Sequence, residues 1–151
     1  GAMTTETLAV LHHLWNTEEA RAYDGKLVKF PAFVFQPRPA RPPIWIGGNS
    51  AAAQDRVVKF GDGWHPMLRT AEMKPAVDAL KAKVSAAGKP TPEIVVRRGL
   101  KLEDAAAAGE KLHADRDAGA TYFILDLGRY EDEAAFGRAV DIFMGKVIAP
   151  V

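Results

Sequence analysis

The chain has no cysteine among its 151 residues, which excludes disulfide bonds and thiolate chemistry and fits a cytoplasmic location. No apolar run approaches the ~18 residues that a membrane-spanning helix needs, and no signal-peptide pattern opens the sequence. The net charge is only +1, so electrostatics give no reason to expect nucleic acid or an acidic membrane surface as a partner. We therefore expect a cytoplasmic protein that binds neither nucleic acid nor membrane.

Motifs for metal binding and for nucleophilic catalysis are also missing. His12, His13 and His113 have no i, i+4 pairing and no accompanying carboxylate cluster, so solvated helix faces explain them better than a metal site does. No Gly-x-Ser-x-Gly motif indicates a nucleophile elbow. The sequence thus predicts no metal site and leaves the catalytic residues unknown.

What the chain does contain, from residue 44 onward, is an alternation of apolar strand-like stretches with helical stretches. The predicted pairs of strand and helix are Ile44–Ile46 with Ser50–Phe60, Trp64–Met67 with Ala71–Ala87, Glu93–Leu102 with Glu103–Ala118, and Thr121–Leu127 with Glu131–Ile148. Strands this apolar, separated by helices, favour an α/β fold in which a parallel sheet is covered by helices. Glycines follow three of these helices, and Gly61 is expected to be a left-handed residue just past the first of them.

One helix and a proline-rich segment precede these four units. Thr5–Trp15 has apolar residues at helical spacing, Tyr23–Lys26 has the composition of a turn, and Leu27–Phe30 is β-like. Residues 31–43 are rich in proline and should therefore be extended. Gly1–Met3 looks like a cloning remnant, so we predict a single domain over residues 4–151.

The first strand runs into a loop suited to holding an anion. Ile44–Ile46 is followed by Gly47, Gly48, Asn49 and Ser50, and a helix begins there. Glycines allow close backbone approach, and the N–H groups of a first helical turn point at a ligand. A tight turn with Asn49 or Ser50 as helix cap explains the same residues without a ligand.

Five motifs in order resemble the C-terminal half of the luciferase-like monooxygenases (bacterial luciferase-like flavin oxidoreductases that use FMN or the deazaflavin F420), especially the F420 branch. They are Trp15-Asn16, Tyr23-Asp24-Gly25-Lys26 with Phe30, Pro42-Pro43-Ile44-Trp45-Ile46-Gly47-Gly48-Asn49-Ser50, Gly61-Asp62-Gly63-Trp64, and Ala118-Gly119-Ala120. Each motif is common by itself, but their order extends over nearly the whole chain.

The resemblance implies a TIM-barrel-like fold, of which this chain would supply a half barrel. The four units would correspond to strands five to eight of a (β/α)8 barrel, whose active sites lie at the C-terminal ends of the strands. It also implies that Gly47, Gly48, Asn49 and Ser50 bind the cofactor phosphate, with F420 or FMN as the cofactor. A complete barrel takes about 250 residues, so much of the ring pocket and several catalytic groups would belong to the other half.

Further ligand contacts are expected at the other strand ends. His65 could act as an acid or base near neutral pH, whereas Trp64 beside it is better explained by packing. One of Arg97 and Arg98 should point into the barrel, where it needs an anionic ligand or an acidic partner such as Asp126, and the other should face solvent. Arg69 is a weaker candidate for an anion contact.

Half a barrel would leave two unpaired strand edges and an exposed apolar face, both of which favour association. We expect a homodimer, or a complex with a missing N-terminal half barrel, unless the proline-rich segment folds across the gap.

Three functions stay open at this point. The chain could be the C-terminal part of a flavin- or F420-dependent oxidoreductase, a phosphate- or cofactor-binding module without redox activity, or a dimerisation scaffold, and whether it is an enzyme by itself is undecided.

Overall fold

The computed structural model of the chain describes residues 1–148, which form two sheets and five α-helices. The strands are β1 Arg21–Asp24, β2 Lys29–Phe33, β3 Trp45–Gly47, β4 Gly63–His65, β5 Glu93–Gly99 and β6 Tyr122–Asp126. The helices are α1 Ala2–Trp15, α2 Ala51–Phe60, α3 Thr70–Ala86, α4 Ala105–Asp117 and α5 Glu133–Ile142. None of the helices within residues 1–148 is long and apolar enough to cross a membrane.

The main sheet has four parallel strands in the order β3-β4-β5-β6, and a helix connects each strand to the next. This confirms the predicted α/β class, the parallel sheet and the strand–helix repeat. Side chains alternate between the two faces of each strand, and one face packs against the helices. The core residues on that side are Ile46, Ala53, Val57, Phe60, Trp64, Met73, Val77, Leu80, Val84, Ile94 and Val96.

The N-terminal region differs in detail from the prediction. Helix α1 begins at Ala2, so part of the segment predicted to be a cloning remnant is helical. Gly1, the first residue of that segment, also contacts the rest of the structure, because its carbonyl accepts a hydrogen bond from Arg56 Nη2 at 3.1 Å. Strands β1 and β2 form an antiparallel hairpin that takes in part of the predicted turn. Residues 34–44 contain no helix or strand, as the prolines predict.

The conformation predicted for Gly61 is wrong. Its φ is −87°, whereas Gly88 and Gly119 have φ values of +65° and +107°. Gly61 is needed for space instead, because a Cβ there would lie 3.0 Å from Val57 Cα and 3.1 Å from Ile46 Cγ1. The glycine therefore lets α2 pack directly against β3.

The last predicted helix, Glu131–Ile148, is shorter and less regular than its pattern suggests. Asp132 caps α5 by accepting a hydrogen bond from the Ala135 N–H at 2.7 Å, and the α-helix ends at Ile142. A π-helical turn continues over Phe143–Ile148. Residues 149–151, the end of the predicted domain, lie outside the described residues.

Candidate functional site

The face of the main sheet opposite the helices is the open face, and its two ends differ. At the N-terminal ends of the strands it is filled by aromatic rings. The indole of Trp45 lies across Gly63, donates a hydrogen bond to Glu93 Oε2 at 3.0 Å, and packs against Tyr122 with ring centroids 4.8 Å apart. A Cβ on Gly63 would be only 2.5 Å from Trp45 Cδ1. The indole therefore occupies the space directly over Gly63, so a ligand cannot sit on that part of the open face.

An open groove lies across the C-terminal ends of β4 and β5. We call it the strand-end groove, and it is lined by His65, Pro66, Met67, Leu68, Arg69, Glu72, Arg97, Arg98 and Gly99. Residues at this end of parallel strands belong to loops that can vary without disturbing the sheet, which is why ligands bind there in α/β proteins. Several of the residues singled out in the sequence thus meet at one place.

The Gly47–Ser50 loop lies at the same end, immediately after β3. Gly48 has a φ of +110°, a conformation that L side chains rarely adopt, and its N–H donates to the His65 carbonyl at 3.2 Å. Ser50 caps α2, with Oγ accepting from the Ala53 N–H at 3.2 Å. Ser50 is therefore the helix cap that the sequence predicts whether or not the loop binds a ligand.

Asn49 joins this loop to the strand-end groove. Its Nδ2 donates to the Met67 carbonyl at 2.9 Å, and its Oδ1 accepts from the Met67 N–H at 2.8 Å. Trp64, buried beneath, donates from its indole to the Gly48 carbonyl at 2.8 Å. Trp64 is structural, as predicted, and the Asn49 side chain is fully engaged in positioning backbone.

The backbone donors of the loop are less engaged. Within residues 1–148, the N–H groups of Asn49, Ser50, Ala51 and Ala52 have no hydrogen-bond acceptor. They lie at the N-terminus of a helix, where the macrodipole and the unpaired N–H groups favour negative charge. The methyl groups of Ala51 and Ala52 are exposed and small, so an anion could approach these donors.

Arg97 and Arg98 lie on opposite faces of β5. Arg97 is on the open face and pairs with Asp126 at 3.2 Å, the partner that the sequence suggested. A hydrogen bond from the Gly128 N–H, together with Arg97, holds the pKa of Asp126 below its usual range. The side chains of Arg97 and Asp126 are 64% and 49% exposed, so the pair is weak and could exchange for a ligand.

Arg98 does not face solvent, contrary to the prediction for the second arginine. It turns towards the helices, where its side chain is 11% exposed and pairs with Asp115, which is fully buried. The two bonds to Asp115 are 2.6 and 2.8 Å long, and Thr70 Oγ1 donates to the same carboxylate at 2.6 Å. Burial by itself would raise the pKa of Asp115, but these hydrogen bonds outweigh it and hold the pKa below its usual value.

Asp115 and Thr70 are the residues that sequence reasoning missed. The helical spacing of Asp115 could have identified it, because Ala108, Leu112 and Asp115 lie on one face of α4. Ala108 and Asp115 are both buried. A carboxylate buried among apolar residues needs a cationic partner, and Arg98 provides it. For Thr70 no comparable pattern exists in the sequence.

The remaining candidates are placed as follows. His65 is half-buried on the open face, and its ring nitrogens have no partner among the described residues. Arg69 pairs with Glu72 at 2.6 Å and, mainly through that hydrogen bond, lowers the pKa of Glu72 to about 2.

The histidines of α1 make hydrogen bonds and are not simply solvated. His12 bonds to the Phe60 carbonyl, and His13 bonds to the Ala22 carbonyl. Residues 1–148 hold no cluster of three or more side chains that could bind a metal ion.

Comparison with known proteins agrees with this architecture. Residues 1–141 match the sequence profile of the luciferase-like monooxygenases, although no curated protein sequence matches the chain significantly. The fold is similar to that of an F420-dependent secondary alcohol dehydrogenase solved in complex with an F420-acetone adduct, with a TM-score of 0.59 and 15% sequence identity. The likeness covers 97% of this chain and 53% of the dehydrogenase, so the chain spans about half the length of that protein. Since the profile match extends over most of the sequence, the chain belongs to the luciferase-like monooxygenase family.

Proposed function

We propose that the chain is the C-terminal half of a flavin- or F420-dependent oxidoreductase and that its Gly47–Ser50 loop binds the cofactor phosphate. The observation that carries the proposal is the row of unengaged backbone N–H groups from Asn49 to Ala52 at the N-terminus of α2. It lies at the strand ends where barrel enzymes bind ligands. The family match and the fold of the F420-dependent dehydrogenase support a phosphate-bearing redox cofactor.

The residues present fit a phosphate group. Among the described residues, and apart from the chain neighbours of Gly47, a Cβ built on Gly47 would meet only the His65 carbonyl oxygen, at 4.0 Å, so space is open over this glycine. Ser50 and Asn49 hold the loop in shape through their side chains and leave the backbone donors for the ligand. His65 and Arg97, on the open face beside the loop, would contact the rest of the cofactor or the substrate. The bound flavin or deazaflavin would supply the redox chemistry.

The four strands would then be strands five to eight of a barrel, and the open face would be its interior. Within the described residues, β3 and β6 each have one unpaired edge. Large apolar side chains are exposed at the β6 end, among them Tyr122 (45%), Phe136 (50%) and Met144 (53%). Such an edge and patch need a cover. In a homodimer, β6 of one copy would pair with β3 of its partner, so that two four-stranded halves close eight strands.

A matched pair of glycine variants tests the loop. Gly48→Asp places a carboxylate where the phosphate would bind, whereas Gly88→Asp puts the same charge on another glycine of positive φ, at the end of α3 with nothing within 4 Å of its Cβ. We expect calorimetric titration with FMN, F420 and inorganic phosphate to detect binding to the wild-type chain and to Gly88→Asp but not to Gly48→Asp. Equal binding by both variants would remove the loop as the phosphate site.

The same titrations separate the alternatives. Binding of phosphate together with absence of any flavin or F420 redox turnover would favour a binding module. Absence of all binding would leave the dimerisation scaffold. Light scattering after size-exclusion chromatography should give twice the chain mass of 16.4 kDa, and a strict monomer at micromolar concentration would contradict the homodimer.

A further inference from the structure

Arg98 lies beneath the strand-end groove and connects three elements of the structure. Its Nη2 donates to the Leu68 carbonyl at 3.3 Å, and its Nη1 donates to the Arg97 carbonyl at 3.1 Å. Its Nε and Nη2 bind Asp115 of α4, and Asp115 is held in turn by Thr70 at the start of α3. One buried guanidinium therefore ties β5 to α4 and to the loop between β4 and α3.

The segment that Arg98 holds is also the segment on which the Gly47–Ser50 loop rests. Gly48 donates to the His65 carbonyl, and Asn49 makes two hydrogen bonds to Met67, the residue next to Leu68. Residues 65–68 are thus fixed from one side by Arg98 and in turn fix the loop from the other side. If this segment shifts, the two Asn49 bonds must stretch or break.

We propose that Arg98 is a positioning residue that, with Asp115, keeps residues 65–68 and the Gly47–Ser50 loop in the geometry that binds a phosphate-bearing ligand. The effect on binding rests on the function proposed above, while the effect on the loop does not. Stability by itself gives little reason for the pair, because a buried ion pair often contributes no more than apolar residues of similar size. What the pair adds is direction, since a guanidinium has five donors in a fixed plane.

Arginine is required in this role because lysine cannot reproduce it. A lysine at position 98 could still pair with Asp115, but its single nitrogen cannot also reach the Leu68 and Arg97 carbonyls from that position. Arg98→Lys should therefore keep the buried charge pair and lose the tie to residues 65–68. That separates positioning from simple charge balance.

The test combines amide hydrogen exchange with titrations by FMN and by F420. In Arg98→Lys we expect exchange at the Met67 amide to rise about tenfold or more relative to the wild type, with no comparable rise at Ile94 in the core. Binding of the cofactor that the wild-type chain takes, FMN or F420, should weaken at least several-fold. If Arg98→Lys fails to fold, Thr70→Val takes its place as the test variant, because it removes only the hydrogen bond from Thr70 to Asp115. We expect a smaller rise in Met67 amide exchange for Thr70→Val.

Asp62→Asn is the control. Asp62 pairs with Arg41 at 3.0 Å and accepts from the Ile44 N–H at the opposite ends of the strands, so this variant perturbs an ion pair without touching residues 65–68. It should change neither Met67 exchange nor FMN affinity. Wild-type exchange at Met67 in Arg98→Lys and Thr70→Val would overturn the inference. Faster Met67 exchange in a chain that binds neither FMN nor F420 would overturn the proposed function instead and leave the positioning role standing.

Discussion

Gly63→Ala probes whether the Trp45 indole fills the N-terminal end of the open face. The new Cβ would lie 2.5 Å from Trp45 Cδ1, 3.0 Å from Trp45 Nε1 and 3.2 Å from the Glu93 carbonyl oxygen. Overpacking of this kind costs about 1–3 kcal/mol, and moving the indole would also cost its hydrogen bond to Glu93, about 1 kcal/mol. Alanine favours a strand over glycine by roughly 0.5–1 kcal/mol. We expect a net loss of about 2 kcal/mol in the free energy of unfolding.

Gly99→Ala is the matched control, because Gly99 lies on the same face of a strand and its Cβ would meet nothing within 4 Å. It should be neutral or slightly stabilising. In a thermal melt, the Gly63→Ala loss corresponds to a Tm lowered by roughly 4–8 °C for a chain of this size. Adding Trp45→Leu should recover part of the loss in a double-mutant cycle. Equal melting of the two alanine variants would refute the position of the indole and reopen that end of the sheet as a ligand site.

Three further predictions concern stability. Gly119→Ala should cost about 2–4 kcal/mol, because φ is +107° and the new Cβ would lie 2.9 Å from Val77 Cγ1, whereas Gly88→Ala, with open space around it, should cost about 1 kcal/mol in denaturant titration. Because the folded-state pKa of Asp115 lies below its unfolded value, its contribution to stability is complete above about pH 5 and is lost as the pH falls further, so Asp115→Asn should show a flatter acid limb. Ser50→Ala should cost about 1 kcal/mol through loss of the α2 cap, and Ser50→Asp should restore it.

Each of these has an outcome that contradicts it. Equal losses for the two glycine variants would mean that the contact between Gly119 and Val77 is absent. An acid limb unchanged by Asp115→Asn would mean that other carboxylates govern acid unfolding. A Ser50→Ala chain as stable as the wild type would show that the cap contributes nothing.

The α/β class and the parallel sheet followed from sequence patterns that depend on few physical factors. Apolar strands separated by helices favour a parallel sheet that those helices cover, and Ile46, Trp64 and Ile94 all lie on the helix side of the sheet. Helix ends were harder to predict. Gly61 matched the pattern of a left-handed cap, but close packing on Val57 decided its presence, and packing distance is not written in local sequence.

The candidate site was predictable in outline only. Alternation showed that Arg97 and Arg98 point to opposite faces, but not that α4 covers one of them. The prediction that Arg98 faces solvent considered the strand by itself. Its buried partner, Asp115, lies seventeen positions further along the chain. The reciprocal bonds between Asn49 and Met67 also join two loops brought together by the sheet. Such long-range pairs depend on topology, which spacing along one segment cannot supply.

The most direct test of the account follows backbone amide signals by nuclear magnetic resonance while FMN, and in a second titration F420, is added to the chain. If the Gly47–Ser50 loop binds the cofactor phosphate, the amide signals of Asn49, Ser50, Ala51 and Ala52 should shift progressively, and inorganic phosphate should compete. The amide of Gly88, at the end of α3, should stay in place. Shifts confined to other regions, or no shifts at any FMN or F420 concentration that the protein tolerates, would contradict the proposed cofactor site.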